Sequence, residues 1–292
     1  MPQPQPPPDS TTWSDGAGGL YVASQAPQPP PDSHPLPKGR FDVLYDVGDV
    51  HVTFAIGEAV LKAQILPWQF PNRTLEHITI AWLRDRKPAF SFGLPEVLRH
   101  DVSHGRYYLF LKKIPHRTLG KAWHQMDEAK KHLCVDRIAE ICDELAVWQG
   151  NSVSSIDGGD MQEYYLLPKS DAGVREHRGD PATLRRGCEV LGMDCSTLVL
   201  THGDLGPGNI FVDGDSNIST IIDWDSAGFV PKEWIATKFM ASSGLDVPED
   251  PDNPEPDTPH DPYEYRRLVA RRLVAKGYPD CGDAWVKSRN PD

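Results

Sequence analysis

From Phe41 onward the apolar positions recur with the periods of regular structure. Val50 to Ile56 and Glu58 to Gln64 read as two strands joined near Gly57. Tyr107 to Leu111 reads as a third strand, and its near-continuous apolarity predicts burial on both faces. Between them, Leu75, Ile78, Ala81 and Trp82 recur at helical spacing, which predicts a helix over Thr74 to Arg84 with Thr74 as its N-cap. Pro88 stops any longer extension. The strongest helical stripe is Leu133, Val135, Ile138, Ile141, Cys142, Leu145 and Trp148, which predicts a helix over Ala129 to Trp148. Further helices are expected at Ala182 to Leu191 and Tyr263 to Lys276. Two short strands, Asn209 to Val212 and Ile218 to Ile222, flank the turn residues Asp213 to Asn217.

Residues 1–38 are rich in Pro, Gln, Ser and Gly and read as a disordered tail, with a short anchored piece near Trp13 or Leu20 to Val22. Residues 39–115 carry the strands and one helix, and form an expected small β-rich N-lobe. Residues 116–292 form an expected larger α-helical C-lobe, interrupted by an acidic, Pro-rich segment at 247–262 that reads as a mobile loop. The fold class is therefore α+β with two lobes.

The formal net charge of −12, from 42 acidic and 30 basic residues, argues against general nucleic-acid binding, which needs a basic face. No apolar run reaches the length of a membrane span, and no signal peptide is evident, so a soluble cytoplasmic protein is expected. Five cysteines without a C-x-x-C pair suggest buried thiols in a reducing compartment, not zinc or a disulfide framework.

The candidate chemistry lies in Thr201-His202-Gly203-Asp204-Leu205-Gly206-Pro207-Gly208-Asn209 and in Ile221-Ile222-Asp223-Trp224-Asp225-Ser226-Ala227-Gly228. Asn209 begins one strand of a tight hairpin, and Asp223 ends the other. The hairpin therefore places a carboxamide beside a carboxylate. Two such oxygen ligands suit Mg2+, which takes its remaining ligands from water and phosphate. Asp204, in the loop before Asn209, is placed to accept a proton from a hydroxyl. The bland reading of each residue alone is a turn or cap. The ordered set favours catalysis.

These segments, H-G-D-x-x-x-x-N followed by a hairpin and I-D-W-D-x-A-G, resemble the aminoglycoside phosphotransferase family, related to choline and fructosamine kinases and similar in fold to protein kinases. The resemblance implies a protein-kinase-like two-lobe fold and ATP with Mg2+ as cofactors. It implies γ-phosphoryl transfer to the hydroxyl of a small-molecule acceptor, with Asp204 as catalytic base and Asn209 and Asp223 as metal ligands. It leaves Asp225 either assisting a second metal or holding the loop.

Ala59-Val60-Leu61-Lys62 resembles the kinase strand whose lysine meets the α- and β-phosphates, and Glu76 is its best partner on the following helix. The plain alternatives are a strand-end lysine and a solvent-facing glutamate. His202 is expected to support the catalytic loop by bonding backbone. The chain departs from the kinase pattern in having only isolated glycines, Gly48 and Gly57, before the lysine strand. It also has Leu111-Lys112-Lys113-Ile114-Pro115-His116 where the adenine-cradling segment falls. Those departures support an alternative, a non-catalytic pseudokinase-like module that binds nucleotide or a partner. The acceptor and the oligomeric state are not legible in the residues.

Overall fold

A computed structural model describes residues 9–25, 41–167, 178–250 and 261–289. The expectations for 1–8, 26–38 and 251–260 fall outside the described residues. The chain divides into two compact units, residues 1–66 with 95–115 and residues 67–94 with 116–292.

The first unit is built of strands: β1 (Thr11–Ser14), β2 (Leu20–Ala23), β3 (Asp42–Val47), β4 (His51–Ile56), β5 (Ala59–Ile65), β6 (Val97–Ser103) and β7 (Arg106–Lys112). Five of them form an antiparallel sheet in the order β3-β4-β5-β7-β6, and β1 pairs with β2 as a separate hairpin. The hairpin falls on the anchored piece expected near Trp13 and Leu20 to Val22. Trp13, 9% exposed, anchors it against Ile56 and Ala59, a burial that offsets the entropy of ordering those residues.

Lys62 lies on β5 opposite Thr53 of β4 and Leu109 of β7, and is buried. Strand alternation puts Val60, Lys62 and Gln64 on one face of the sheet and Ala59 and Leu61 on the other. The third expected strand is β7, but it alternates instead of being buried throughout. Tyr107, Leu109 and Leu111 are buried while Tyr108 and Phe110 are half-buried, Phe110 on the face where the small hairpin packs.

The second unit contains α1 (Glu76–Arg84), β8 (Arg117–Thr118), α2 (Leu119–Trp123), α3 (Glu128–Ala146), β9 (Gln149–Gly150), β10 (Ser154–Ser155), α4 (Pro181–Val190), β11 (Leu198–Thr201), β12 (Ile210–Val212), β13 (Ile218–Ile221), β14 (Gly228–Pro231), α5 (Lys232–Ala241), α6 (Glu264–Ala275) and α7 (Gly282–Arg289). Two small sheets, β10-β14-β11-β9 and β13-β12-β8, lie among these helices. The core is the buried stripe of α3, with Ile138, Ile141 and Leu145, together with Tyr265, Val269 and Leu273 of α6.

The expected N-lobe of residues 39–115 is not one unit, since residues 67–94 belong with the second. Gly93 N–H donates to Ser219 O at 2.8 Å and Ile221 N–H donates back to Gly93 O at 3.0 Å, which ties this segment to β13.

Three local expectations need correction. Thr74 does not cap α1: its hydroxyl donates to Asp157 at 2.5 Å, and Leu75 precedes the helix without a side-chain cap bond. The buried face of α1 is Glu76, Thr79, Ile80 and Leu83, while Ile78 of the expected stripe is exposed. On α3, Leu133 is 69% exposed, so the core begins with Cys134 and Val135. Helix α5 escaped the periodicity argument because Trp234 through Phe239 are all buried, which leaves no polar face to read.

Candidate active site

The backbone groups of the Asp204 loop are bonded both to other backbone groups and to side chains. Asp204 N–H donates to His202 Nδ1 at 3.2 Å, so that Nε2–H of the same ring donates to Ile222 O at 2.9 Å. His202 thus ties the loop after β11 to the end of β13, and its ring lies 4.4 Å from that of Trp224. Gly206 N–H donates to Asp204 O at 2.9 Å and Asn209 N–H to Gly206 O at 3.0 Å, two consecutive tight turns. The Tyr265 hydroxyl donates to Leu205 O at 2.8 Å and Gly120 N–H to Pro207 O at 2.8 Å, fastening the loop to α6 and α2.

Gly203 stands where protein kinases carry an arginine, and its surroundings explain the glycine. It adopts φ +80°, and a Cβ there would lie 2.3 Å from Ser226 O. No side chain fits that approach.

Asn209 turns its amide toward Asp204. Nδ2 donates to the Asp204 carboxylate at 3.0 Å and to the Asp204 carbonyl at 2.9 Å. Both N–H groups are thereby used, and Oδ1 remains as the oxygen able to meet a cation. Ile222 N–H donates to Asn209 O at 2.9 Å, so the start of β12 lies beside the residues that lead from β13 to Asp223.

Asp223 itself sits in the left-handed region at φ 67°, uncommon for a residue with a side chain. That conformation turns the chain into the short 3-10 turn of Trp224–Ser226. Trp224 is fully buried and stacks on Phe92 with ring centres 5.9 Å apart. Its backbone N–H donates to Glu76 Oε1 at 3.2 Å and its indole N–H to Ile221 O at 2.9 Å. Trp224 is thus the wedge that sets the two flanking aspartates, a role the motif alone did not disclose.

Glu76, Asp223 and Asp225 bring one carboxylate oxygen each to within 4.8 Å of one another. Three like charges this close repel unless a cation or a proton intervenes. An all-oxygen set is the donor chemistry that Mg2+ prefers, and the residues present fit the ion. The structure therefore places Glu76, fully buried at the start of α1, with the two aspartates. Lys62 belongs to the other unit, on β5.

Asp204 carries a carboxyl pushed up to about 6, first by burial and then by the negative charge of Asp223. The charge of Lys238 and the Asn209 amide act in the opposite direction. Lys238 is itself buried in a bidentate ion pair with Glu163, at 2.7 and 2.9 Å, and the Trp234 indole donates to the same carboxylate at 3.0 Å. Neither Glu163 nor Lys238 was singled out from sequence, because no local pattern marks two charges brought together from segments 75 residues apart. The turn over Ser243–Leu245 also approaches the carboxylate: a Cβ at Gly244 would lie 3.8 Å from Asp204 Oδ1.

The sheet-rich N-terminal region, the helical C-terminal part and this loop-and-hairpin arrangement define a protein of the aminoglycoside-kinase-like fold class. The phosphotransferase enzyme family matches residues 45–231, more than half of the chain, and the chain belongs to that family.

Among solved structures, the ternary complex of streptomycin and ATP with APH(2")-IIa shares the fold at 16% identity, covering 85% of this chain and 80% of that one with a TM-score of 0.50. The ADP-bound aminoglycoside phosphotransferase APH(2'')-Ib does so at 17% identity over the same shares, with a TM-score of 0.51. No curated protein matches the chain. Four of the five cysteines, Cys134, Cys142, Cys188 and Cys195, are buried thiols and Cys281 is half-buried, and no described helix is long and apolar enough to cross a membrane.

Proposed function

We propose that this protein transfers the γ-phosphoryl group of ATP to a hydroxyl of a small molecule. The observation that carries the reading is the Asn209 amide bonded to the Asp204 carboxylate, on a loop whose hairpin ends at the Glu76, Asp223 and Asp225 carboxylates. One carboxylate is thereby held apart as a proton acceptor while the others gather where a cation would be needed.

Asp204 accepts the proton of the acceptor hydroxyl as its oxygen bonds to the γ-phosphorus and the bond from that phosphorus to the β-γ bridging oxygen breaks, releasing ADP. Burial and the charge of Asp223 raise the proton affinity of Asp204 toward neutrality, which suits a general base. Asn209 Oδ1 and Asp223 would hold Mg2+, with Asp225 as a further ligand or loop support. When bound, the ion neutralises charge on the β- and γ-phosphate oxygens. Glu76 and Lys62 serve the nucleotide, and His202 keeps the loop in shape without exchanging protons. The aminoglycoside ligand of a structural neighbour makes that class of hydroxyl compound a first candidate acceptor.

The test is ATP consumption with Mg2+ across alcohols, sugars, amino alcohols and aminoglycosides, with Asp204→Ala as control. An acceptor-dependent ADP signal that Asp204→Ala lowers by about 10³-fold or more, with nucleotide binding retained, supports the mechanism. Full turnover in Asp204→Ala defeats it.

A further inference from the structure

We infer that Trp13 is a positioning residue: the hairpin β1–β2 clips the turn between β4 and β5 and thereby sets the strand that carries Lys62. This rests on the nucleotide role proposed for Lys62. The hairpin precedes residue 45, where the match to the phosphotransferase enzyme family begins.

The clip grips both sides of one turn. On the β4 side, the Trp13 indole N–H donates to Ile56 O at 2.6 Å. On the β5 side, Glu58 N–H donates to Ser14 O at 3.0 Å. Between them lies Gly57 at φ +59°, where a Cβ would meet Ser14 O at 2.5 Å and Asp15 Cα at 2.8 Å. The hairpin backbone thus lies directly on the turn, and the glycine is required by that approach as well as by its backbone angle. A further bond, from Arg99 to Asp9 O at 2.7 Å, holds the start of the hairpin to β6.

Burial reinforces the same contact. Trp13 packs on Phe110 with ring centres 5.5 Å apart and on Tyr21 at 5.9 Å. Ile56, Ala59, Phe54, Leu61 and Phe110 form one cluster with it, all on the sheet face opposite Lys62. Without the hairpin this face would be an open apolar patch, and the sheet would lose its cover. Lys62 lies four residues beyond Glu58, the turn residue that leads into β5, with its partners Thr53 and Leu109 fixed by the ladder. A lysine that meets phosphate oxygens tolerates little displacement, so loosening the start of β5 weakens ground-state nucleotide binding more than the chemical step.

The experiment measures MgATP affinity by calorimetry, and KM for ATP and kcat with a responsive acceptor, for the full chain and for Trp13→Ala and Trp13→Phe. Hydrogen exchange of β4, β5 and α3 is followed in each. Trp13→Ala is expected to weaken MgATP binding and raise KM for ATP by about tenfold, with kcat at saturating ATP within about twofold. Trp13→Phe, which keeps the packing but loses the indole donor, is expected to fall between. Exchange should quicken in β4 and β5 while α3 stays as in the wild type.

Unchanged MgATP affinity in Trp13→Ala overturns the inference, as does a loss confined to kcat. A wild-type protein that binds no MgATP overturns the proposed function itself, and this inference with it.

Discussion

Helices α1 and α3 belong to the same unit, yet they bury their side chains by different rules. Helix α3 follows most of its hydrophobic pattern: Val135, Ile138, Ile141, Cys142 and Leu145 are inside, as their spacing predicts, and only Leu133 of the inner stripe is exposed. Helix α1 leaves Ile78 outside and buries Glu76 and Thr79 with Ile80 and Leu83. A fully buried carboxylate costs stability unless its desolvation is offset, and the Trp224 N–H supplies part of that offset. By burying a carboxylate, α1 departs further from an amphipathic pattern than α3 does. The buried stripe of α3 serves as core.

The largest effect that would sharpen this contrast is on activity. Glu76→Ala on α1 should lower turnover by about 10²-fold or more while circular dichroism and the main thermal transition remain native. Near-normal turnover would return Glu76 to the class of incidental buried acids.

On α3 the expected loss is stability instead. Ile138→Ala should cost about 2–5 kcal/mol by denaturant unfolding, with turnover per folded molecule preserved. If Ile138→Ala reduced turnover at full occupancy of the native state, α3 could no longer be treated as core alone.

A smaller effect concerns pH. The folded-state Asp204 carboxyl, at about 6, lies above the usual value of about 3.9 for an unfolded chain. The folded state therefore holds this proton more tightly. That contribution is fully present below the unfolded value and is lost as pH rises through about 6. At neutral pH the ionised group is a liability, so Asp204→Asn should stabilise the metal-free protein by about 1 kcal/mol at pH 7.5 and by much less at pH 4. Thermal melts of the two proteins at both pH values check the sign. Added Mg2+ should narrow the gap at pH 7.5.

The smallest effect is Leu133→Ser on the exposed side of α3, expected to change unfolding free energy by less than about 0.5 kcal/mol. A large loss there would mean that this face is covered in the native state.

The candidate site segment was legible because its geometry is local. Within Thr201 to Gly228, two tight turns and a hairpin fix how far Asp204, Asn209 and Asp223 can stand from one another, so order and spacing carried the arrangement. Strands β4 and β5, with Gly57 between them, were legible for the same reason. The Trp13 hairpin was only half legible. Its apolar residues are few, and what orders them is the sheet face formed by β4, β5 and β7.

The sequence by itself determined the elements whose partners lie a few residues away: the long α3 helix, the β12–β13 hairpin and the Asp204 loop, where chain connectivity leaves little freedom. Only the tertiary structure decided that Glu76 joins Asp223 and Asp225, that Gly203 must lack a side chain beside Ser226, and that Lys238 pairs with Glu163 beneath the loop. Each of these depends on desolvation and close approach between segments distant in the chain, and such terms have no value until the whole core has formed.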